Sequence, residues 1–292
     1  MEKIIVITGG GTGIGASLTK TLSDEGNKII ICGRREKPLK KIAASNENIS
    51  YHKCDVSKEK EVIRFKNFIE KRFGYIDVLI NAAGVFGEIG RFDQTDSDRW
   101  KKTIEINLYG TYFVNKHLLN LLLKSEVKKI VNFVGGGAFN AFPNYSAYAV
   151  SKAGVARFSE CISKELETKG VAVNCIAPGF VSTDIQKQTL DAGRKKAGEK
   201  YYKYTLEKLK KGSVPIDTVV NCVKFLISKE SDGLNGKTIS ASFDRWDSKI
   251  FKKYIPKINS SDLFTSRRIN PRNLEEKEKV KRFAKDIIDL YK

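Results

Sequence analysis

A chain of 292 residues with 41% hydrophobic and 30% charged residues can build one well-packed domain and is short for two independent ones. Its net charge of +19 raises nucleic acid as a partner. The lysines, however, are spread through every predicted helix and no nucleic-acid motif accompanies them, so the charge reads as lysine on solvated helix faces. No apolar run approaches the roughly 20 residues that cross a bilayer, and "MEKIIVITGG" enters a strand-like run without the regions of a signal peptide. The expectation is a cytoplasmic protein with neither nucleic-acid nor membrane partners.

In chain order, the β-branched runs 3–8, 27–32, 48–54, 76–81, 128–134, 171–177 and 236–242 read as strands. Helix-length segments at 15–26, 58–73, 102–124, 148–169 and 215–229 lie between them, the last opening with Pro215 at a favourable first-turn position. Near-continuous Ile/Val strands alternating with helices predict an α/β fold with a doubly wound, seven-stranded parallel sheet, Rossmann-like, covered on both faces. Residues 1–243 form the predicted catalytic body. After about residue 243 the pattern loses its period, then Val280, Phe283, Ala284, Ile287, Ile288 and Tyr291 mark a helix over 274–291. The extension 244–292 is therefore expected to pack on its own body or on a neighbouring subunit.

Cys32, Cys54, Cys161, Cys175 and Cys222 stand singly and read as small buried hydrophobes. With His52 and His117 as the only histidines, no metal site is expected.

Directly after the first strand comes "TGGGTGIG", Thr8 to Gly15. Glycines let the backbone turn sharply and approach a pyrophosphate, and the following helix N-terminus supplies free N–H groups and a positive dipole end. Midway along the chain, Tyr148 and Lys152 of "YAVSK" would lie one helical turn apart on one face. Taken alone, that pair is more often a surface lysine lying against a half-buried tyrosine.

Five motifs in order change that weighting: "TGGGTGIG" (8–15), "NAAG" (81–84), Asn107 in "IEINLYG", Tyr148 with Lys152, and "PGFVST" (178–183). Over about residues 3–242 the chain resembles the short-chain dehydrogenases/reductases. The resemblance implies an NAD(P)-binding oxidoreductase with Tyr148, Lys152 and Asn107 as catalytic residues. In that scheme Tyr148 exchanges a proton while hydride passes to or from the nicotinamide, and Lys152 also holds the nicotinamide ribose. Asn107 supports a water-linked proton path. The implied cofactor-binding residues are Gly9, Gly11, Thr12, Gly13, Ile14, Gly15, Arg34, Arg35, Asp55, Val56, Asn81, Ala82, Ala83, Gly84, Tyr148, Lys152, Pro178, Gly179, Val181 and Thr183. Asp55 matches the family's adenine contact, and Thr183 with the 179–182 backbone fixes the carboxamide.

At the end of the second strand, NAD-preferring relatives place an acid for the ribose hydroxyls. This chain has Gly33 there, followed by Arg34 and Arg35, and a guanidinium fork suits a 2′-phosphate. NADP(H) is expected over NAD(H), which stays open. A lysine ammonium about 4 Å from a phenol contributes about 4 kcal/mol at an effective dielectric near 20, so Lys152 is expected to lower the pKa of Tyr148.

The family serine, thirteen positions before the tyrosine, is replaced by Gly135. Backbone N–H groups of Gly135, Gly136 and Gly137, or the side chains of Asn140, Asn144 or Ser146, are the candidate substitutes; the competing reading is a decayed site that binds cofactor as a regulator or scaffold. A basic, tyrosine-rich lid is expected over about 184–212, with Trp246 or the tail closing the pocket. Aromatic rings beside cations suit a polar or anionic small molecule such as a sugar or nucleotide sugar; a 3-oxoacyl chain on an acidic carrier protein would also suit a basic rim. The resemblance further implies a homodimer or homotetramer through 102–124, with its apolar run "LLNLLL", and 148–169.

Overall fold

The computed structural model describes residues 2–266. Seven parallel strands form one sheet in the order β3-β2-β1-β4-β5-β6-β7: β1 (Ile4–Thr8), β2 (Lys28–Gly33), β3 (Ile49–Lys53), β4 (Val78–Asn81), β5 (Lys129–Phe133), β6 (Ala172–Ala177) and β7 (Thr238–Ser240). Strand side chains alternate between the two faces. Ile5, Ile7, Ile29 and Ile31 join one core, and Ile4, Val6, Ile30 and Cys32 the other. Both faces are thus apolar, which is why β1 is buried along its whole length.

Helices α1 (Gly13–Asp24), α2 (Glu36–Ala43), α3 (Glu59–Phe73), α4 (Ser97–Ile104), α5 (Gly110–Leu122), α6 (Ser146–Glu165), α7 (Asp184–Ala197), α8 (Glu199–Lys211), α9 (Ile216–Leu226) and α10 (Lys249–Asn259) complete the described chain. Leu18 and Leu22 of α1, with Val219 and Val223 of α9, cover the first core; Phe65 and Ile69 of α3, with Val114 and Leu118 of α5, cover the second. No helix among the described residues is long and apolar enough to cross a membrane.

Several expectations are corrected. The helix expected over 102–124 starts earlier and runs without a break from Ser97 to Leu122 as α4 and α5, with a π-helical turn at Glu105–Tyr109 between them. Pro215 is the residue preceding α9 rather than its first turn. In "LLNLLL", Leu118, Leu121 and Leu122 are fully buried in the chain's own core, so that run offers little spare surface. The exposed apolar rings of this region are Tyr109 and Tyr112 instead. Cys161 is exposed, unlike the other four cysteines.

The stretch after residue 243, which shows no period, contains α10. Phe251, Ile255 and Ile258 recur at i, i+4 and i+7 and are buried in the first core. Phe264 O accepts a hydrogen bond from the N–H of Thr238 in β7 at 2.8 Å, so residues 249–264 pack on the chain's own sheet. The helix expected over 274–291 lies outside the described residues.

Candidate active site

The loop from β1 to α1 is tied down where Gly9 N–H donates to Cys32 O of β2 at 2.8 Å. A Cβ on Gly15 would fall 2.2 Å from Gly9 O, so only glycine lets the first turn of α1 close on the strand end. Thr12, at the N-cap, gives no side-chain cap. The first N–H groups of α1 therefore lack a side-chain acceptor and suit a pyrophosphate.

This loop opens into a cavity of about 1200 Å³ lined by all the sequence-predicted cofactor residues except Asn81. Arg34 and Arg35, both exposed, stand at its edge just beyond β2; neither guanidinium makes a hydrogen bond or close ion pair among the described residues, although Arg35 is near enough to Asp184 to help Lys187 lower its carboxyl pKa. Asp55 accepts from Ser57 N–H (3.0 Å) and Ser57 Oγ (2.7 Å), which holds the carboxylate at the rim. The donor set of free helix N–H groups and exposed guanidiniums fits a phosphorylated dinucleotide.

Asn81 is corrected. Its Nδ2 donates to Asn132 Oδ1 at 2.8 Å, Asn115 Nδ2 reaches the same oxygen at 3.3 Å, and Asn132 Nδ2 donates to Ser159 Oγ at 2.8 Å. The Asn81 side chain thus belongs to a buried polar network and does not line the cavity, unlike Ala82 and Ala83 just beyond the strand.

Helix α6 carries Tyr148 and Lys152 into the cavity wall. Lys152 Nζ donates to Phe133 O at 2.8 Å and lies 5.9 Å from the centre of the Tyr148 ring. Asn107 sits in the π-helical turn, a deviation common at functional sites. Its Oδ1 accepts from Val85 N–H (2.9 Å), and its Nδ2 donates to Val85 O (2.9 Å) and Ser151 Oγ (3.0 Å). The side chain is committed to clamping the loop after β4 against α6. A Cβ on Gly84 would lie 3.3 Å from Asn107 Oδ1 and 3.4 Å from Lys152 Nζ, so the three residues converge.

The electrostatics differ from expectation. Burial pushes the Tyr148 phenol well above its usual pKa, and burial pushes the Lys152 ammonium down to about 8, offset slightly by Cys175. Desolvation favours the neutral form of each. With Nζ turned to the Phe133 carbonyl, the lysine charge does not outweigh the burial of the phenol.

Opposite Tyr148, a Cβ on Gly135 would fall 2.2 Å from the phenol oxygen. The tyrosine occupies the volume that a side chain at 135 would need. Gly136, Gly137 and Asn140 also line the cavity. Asn144 and Ser146 do not: the Asn144 amide lies against Gly198, where a Cβ would meet its Nδ2 at 2.6 Å, and Ser146 Oγ accepts from Trp100 Nε1 at 3.1 Å.

Helices α7 and α8 form the segment expected as the lid. Gln188 Oε1 accepts from Phe86 N–H and Gly87 N–H, both at 3.1 Å, and Tyr145 Oη donates to Thr189 Oγ1 at 2.9 Å. Beneath them Phe142 stacks on Tyr145 with centres 4.3 Å apart, Tyr201 meets Phe142 edge-on at 4.7 Å, and Phe86 meets Tyr148 edge-on at 4.8 Å. Phe86, Phe142 and Gln188 were missed in the sequence, where nothing but their aromatic or amide character marks them. Trp246 is not a pocket residue. Its Nε1 donates to Ala241 O at 3.1 Å and its ring packs 5.7 Å from Phe225 in the core, whereas Phe243, 74% exposed, lines the cavity.

Residues 3–193 match the short chain dehydrogenase family. An uncharacterized oxidoreductase of Staphylococcus saprophyticus is 30% identical over 204 residues, 68% of this chain and 87% of that protein. Among solved structures, an NAD+-bound xylitol dehydrogenase is 26% identical with a TM-score of 0.74, covering 82% of this chain and 96% of that one. An actinorhodin polyketide ketoreductase with NADPH is 24% identical with a TM-score of 0.73, covering 82% and 95%. A nucleotide loop, a Tyr–Lys pair and this sheet order define an oxidoreductase of the Rossmann-like α/β class. The chain belongs to the short-chain dehydrogenase/reductase family, whose members are NAD(P)-dependent enzymes acting on small molecules.

Proposed function

We propose that the protein is an NADP(H)-dependent oxidoreductase that interconverts a carbonyl and a secondary alcohol on a polar substrate of the sugar or nucleotide-sugar kind. The observation that carries the cofactor choice is the pair of exposed guanidiniums, Arg34 and Arg35, at the cavity's edge where an acid would serve NAD(H). The bound dinucleotide would supply or take the hydride. Tyr148, kept neutral by burial, gives its proton to the substrate oxygen in reduction. Lys152, beside the ring and hydrogen-bonded to Phe133 O, lies where it can stabilise the phenolate that forms and hold the ribose. Asn107 acts here by fixing the loop at Val85.

The aromatic wall of Phe142, Tyr201 and Tyr204, with Lys187 and Lys208 at the cavity, supports a ring-bearing or anionic substrate, and the likeness to a xylitol dehydrogenase is in keeping with a polyol or sugar. The same lysines favour a second reading, a 3-oxoacyl chain on an acidic carrier. The reading takes 184–212 as the lid and a dimer or tetramer as the working form. Oxidation of NADPH and of NADH against sugars, nucleotide sugars and a 3-oxoacyl thioester tests it: turnover of a sugar-class carbonyl with NADPH at least tenfold faster than with NADH is expected. Turnover of the thioester alone would favour the second reading, and an NADH preference would remove the cofactor assignment.

A further inference from the structure

We propose that the main-chain N–H groups of the Gly135–Gly137 turn bind the substrate's reacting oxygen, forming an oxyanion cradle in place of a hydroxyl side chain. The inference rests on the oxidoreductase reading above and names how that site holds its carbonyl.

Three observations meet at this turn. First, it faces the reacting group: Gly135, Gly136 and Gly137 all line the cavity, and Gly135 lies so close to Tyr148 that a Cβ there would fall 2.2 Å from the phenol oxygen. An oxygen that takes the proton of Tyr148 must therefore sit beside this backbone.

Second, the donors are unused. Val134 N–H continues the sheet by bonding Ile176 O at 3.0 Å, and Ala138 N–H closes the turn on Gly135 O at 3.1 Å. The three N–H groups between them have no acceptor among the described residues. Backbone donors at a cavity wall without a protein partner are completed by water or ligand, and donors aimed at developing negative charge are the strongest stabilisers of a carbonyl becoming an alkoxide.

Third, the turn is built to leave them so. The bond from Ala138 to Gly135, with Gly137 at φ +88°, is the pattern of a type II turn, which places glycine third and tolerates almost any residue, proline included, second. A Cβ on Gly137 would strike Ala149 Cβ at 2.8 Å and Phe142 Cβ at 2.9 Å, so the turn is seated on α6 and on the aromatic wall.

The substrate class follows from the geometry: a ketone or aldehyde whose oxygen accepts from backbone N–H and from Tyr148 at once. In reduction, the hydride that bound NADPH would supply adds to the carbonyl carbon, the C=O π pair moves onto oxygen, the cradle holds that charge, and the proton of Tyr148 completes the alcohol, leaving a phenolate near Lys152 that a proton from solvent restores.

Gly136→Pro removes one donor while suiting the second position of the turn. With 2,3-butanedione and NADPH, kcat is expected to fall by about 10²–10³ with NADPH affinity changed less than twofold. Gly135→Ser, which drives a side chain into the phenol, is expected to lower the rate as well. Independently of turnover, titrating unreactive isobutyramide into ¹⁵N-labelled protein saturated with NADP+ should move the Gly136 amide proton downfield. A proline variant at wild-type kcat, a serine variant faster than wild type, or an unmoved Gly136 amide overturns the cradle. If the amide moves but wild-type protein reduces no carbonyl, the cradle stands and the oxidoreductase reading falls.

Discussion

Two glycine-rich turns lie on the same cavity, one after β1 and one after β5, and glycine serves each differently. At the first, Gly15 is small because Gly9 O lies where its Cβ would be, a contact within one loop. At the second, Gly135 is small because the phenol of Tyr148 lies there. On the proposed reading, the first turn shapes backbone around a phosphate, and the second makes room for the proton-donating side chain arriving from another element. A glycine run in a sequence therefore marks a close approach without saying what approaches.

That contrast can be broken most strongly at the second turn. Tyr148→Phe should lower kcat by about 10²–10⁴, the usual contribution of a positioned proton donor, and leave NADPH affinity nearly unchanged in a fluorescence titration, since the ring keeps its edge-on contact with Phe86. A matching loss of cofactor affinity would mean that the phenol serves the nucleotide rather than the substrate. At the first turn, Gly15→Ala puts a methyl group into Gly9 O. Overpacking of this kind costs about 1–3 kcal/mol, so a lowered melting temperature together with weakened NADPH binding is expected, where a variant of unaltered affinity would show that the loop does not cradle the pyrophosphate.

Arg34→Ala sharpens the nucleotide side further. Losing a charge-assisted hydrogen bond of about 1.5–3 kcal/mol should weaken NADPH roughly tenfold or more while NADH changes little, and equal losses would remove the 2′-phosphate assignment.

The smallest effect concerns Lys152. Its ammonium is pushed down to about 8 in the folded chain from an ordinary 10.5, chiefly by burial. Between those values the unfolded chain holds the proton that the folded chain has released, so stability gained from this group rises with pH across that window, and its full penalty is present below about pH 8. Lys152→Met should therefore melt a few degrees higher than wild type at pH 7, with the difference shrinking toward pH 10. A difference independent of pH would place the lysine in a wetter setting than the Phe133 carbonyl provides.

Much of this architecture was legible in the residues. Burial on both faces is written in the unbroken apolar run Ile4 to Ile7, and each expected strand lies within a few residues of an observed one. The nucleotide loop was equally legible, because its chemistry is contained in eight consecutive residues. Membership of a motif does not state which groups a side chain meets, and the Asn81 amide is held by Asn132 inside the body. The lowered phenol was expected from a lysine one turn away, but burial, which spacing does not report, acts on both groups in the opposite direction. Trp246, expected with the tail as one of two ways to close the pocket, is held against Phe225, and Phe243 lines the cavity.

What the chain's order of residues determined by itself is whatever depends on neighbours: strand and helix periodicity, the phosphate loop, the Tyr148–Lys152 spacing and the missing side chain at 135. Tertiary structure alone decided what fills that gap and how α7 is held, since the Tyr148 phenol reaches Gly135 from a different element and Gln188 reaches Phe86 across 102 residues. Periodicity and spacing are short-range properties of a chain. Burial and convergence come only when distant segments pack, and the unpaired N–H groups of Gly135, Gly136 and Gly137 acquire meaning only once Tyr148 stands beside them.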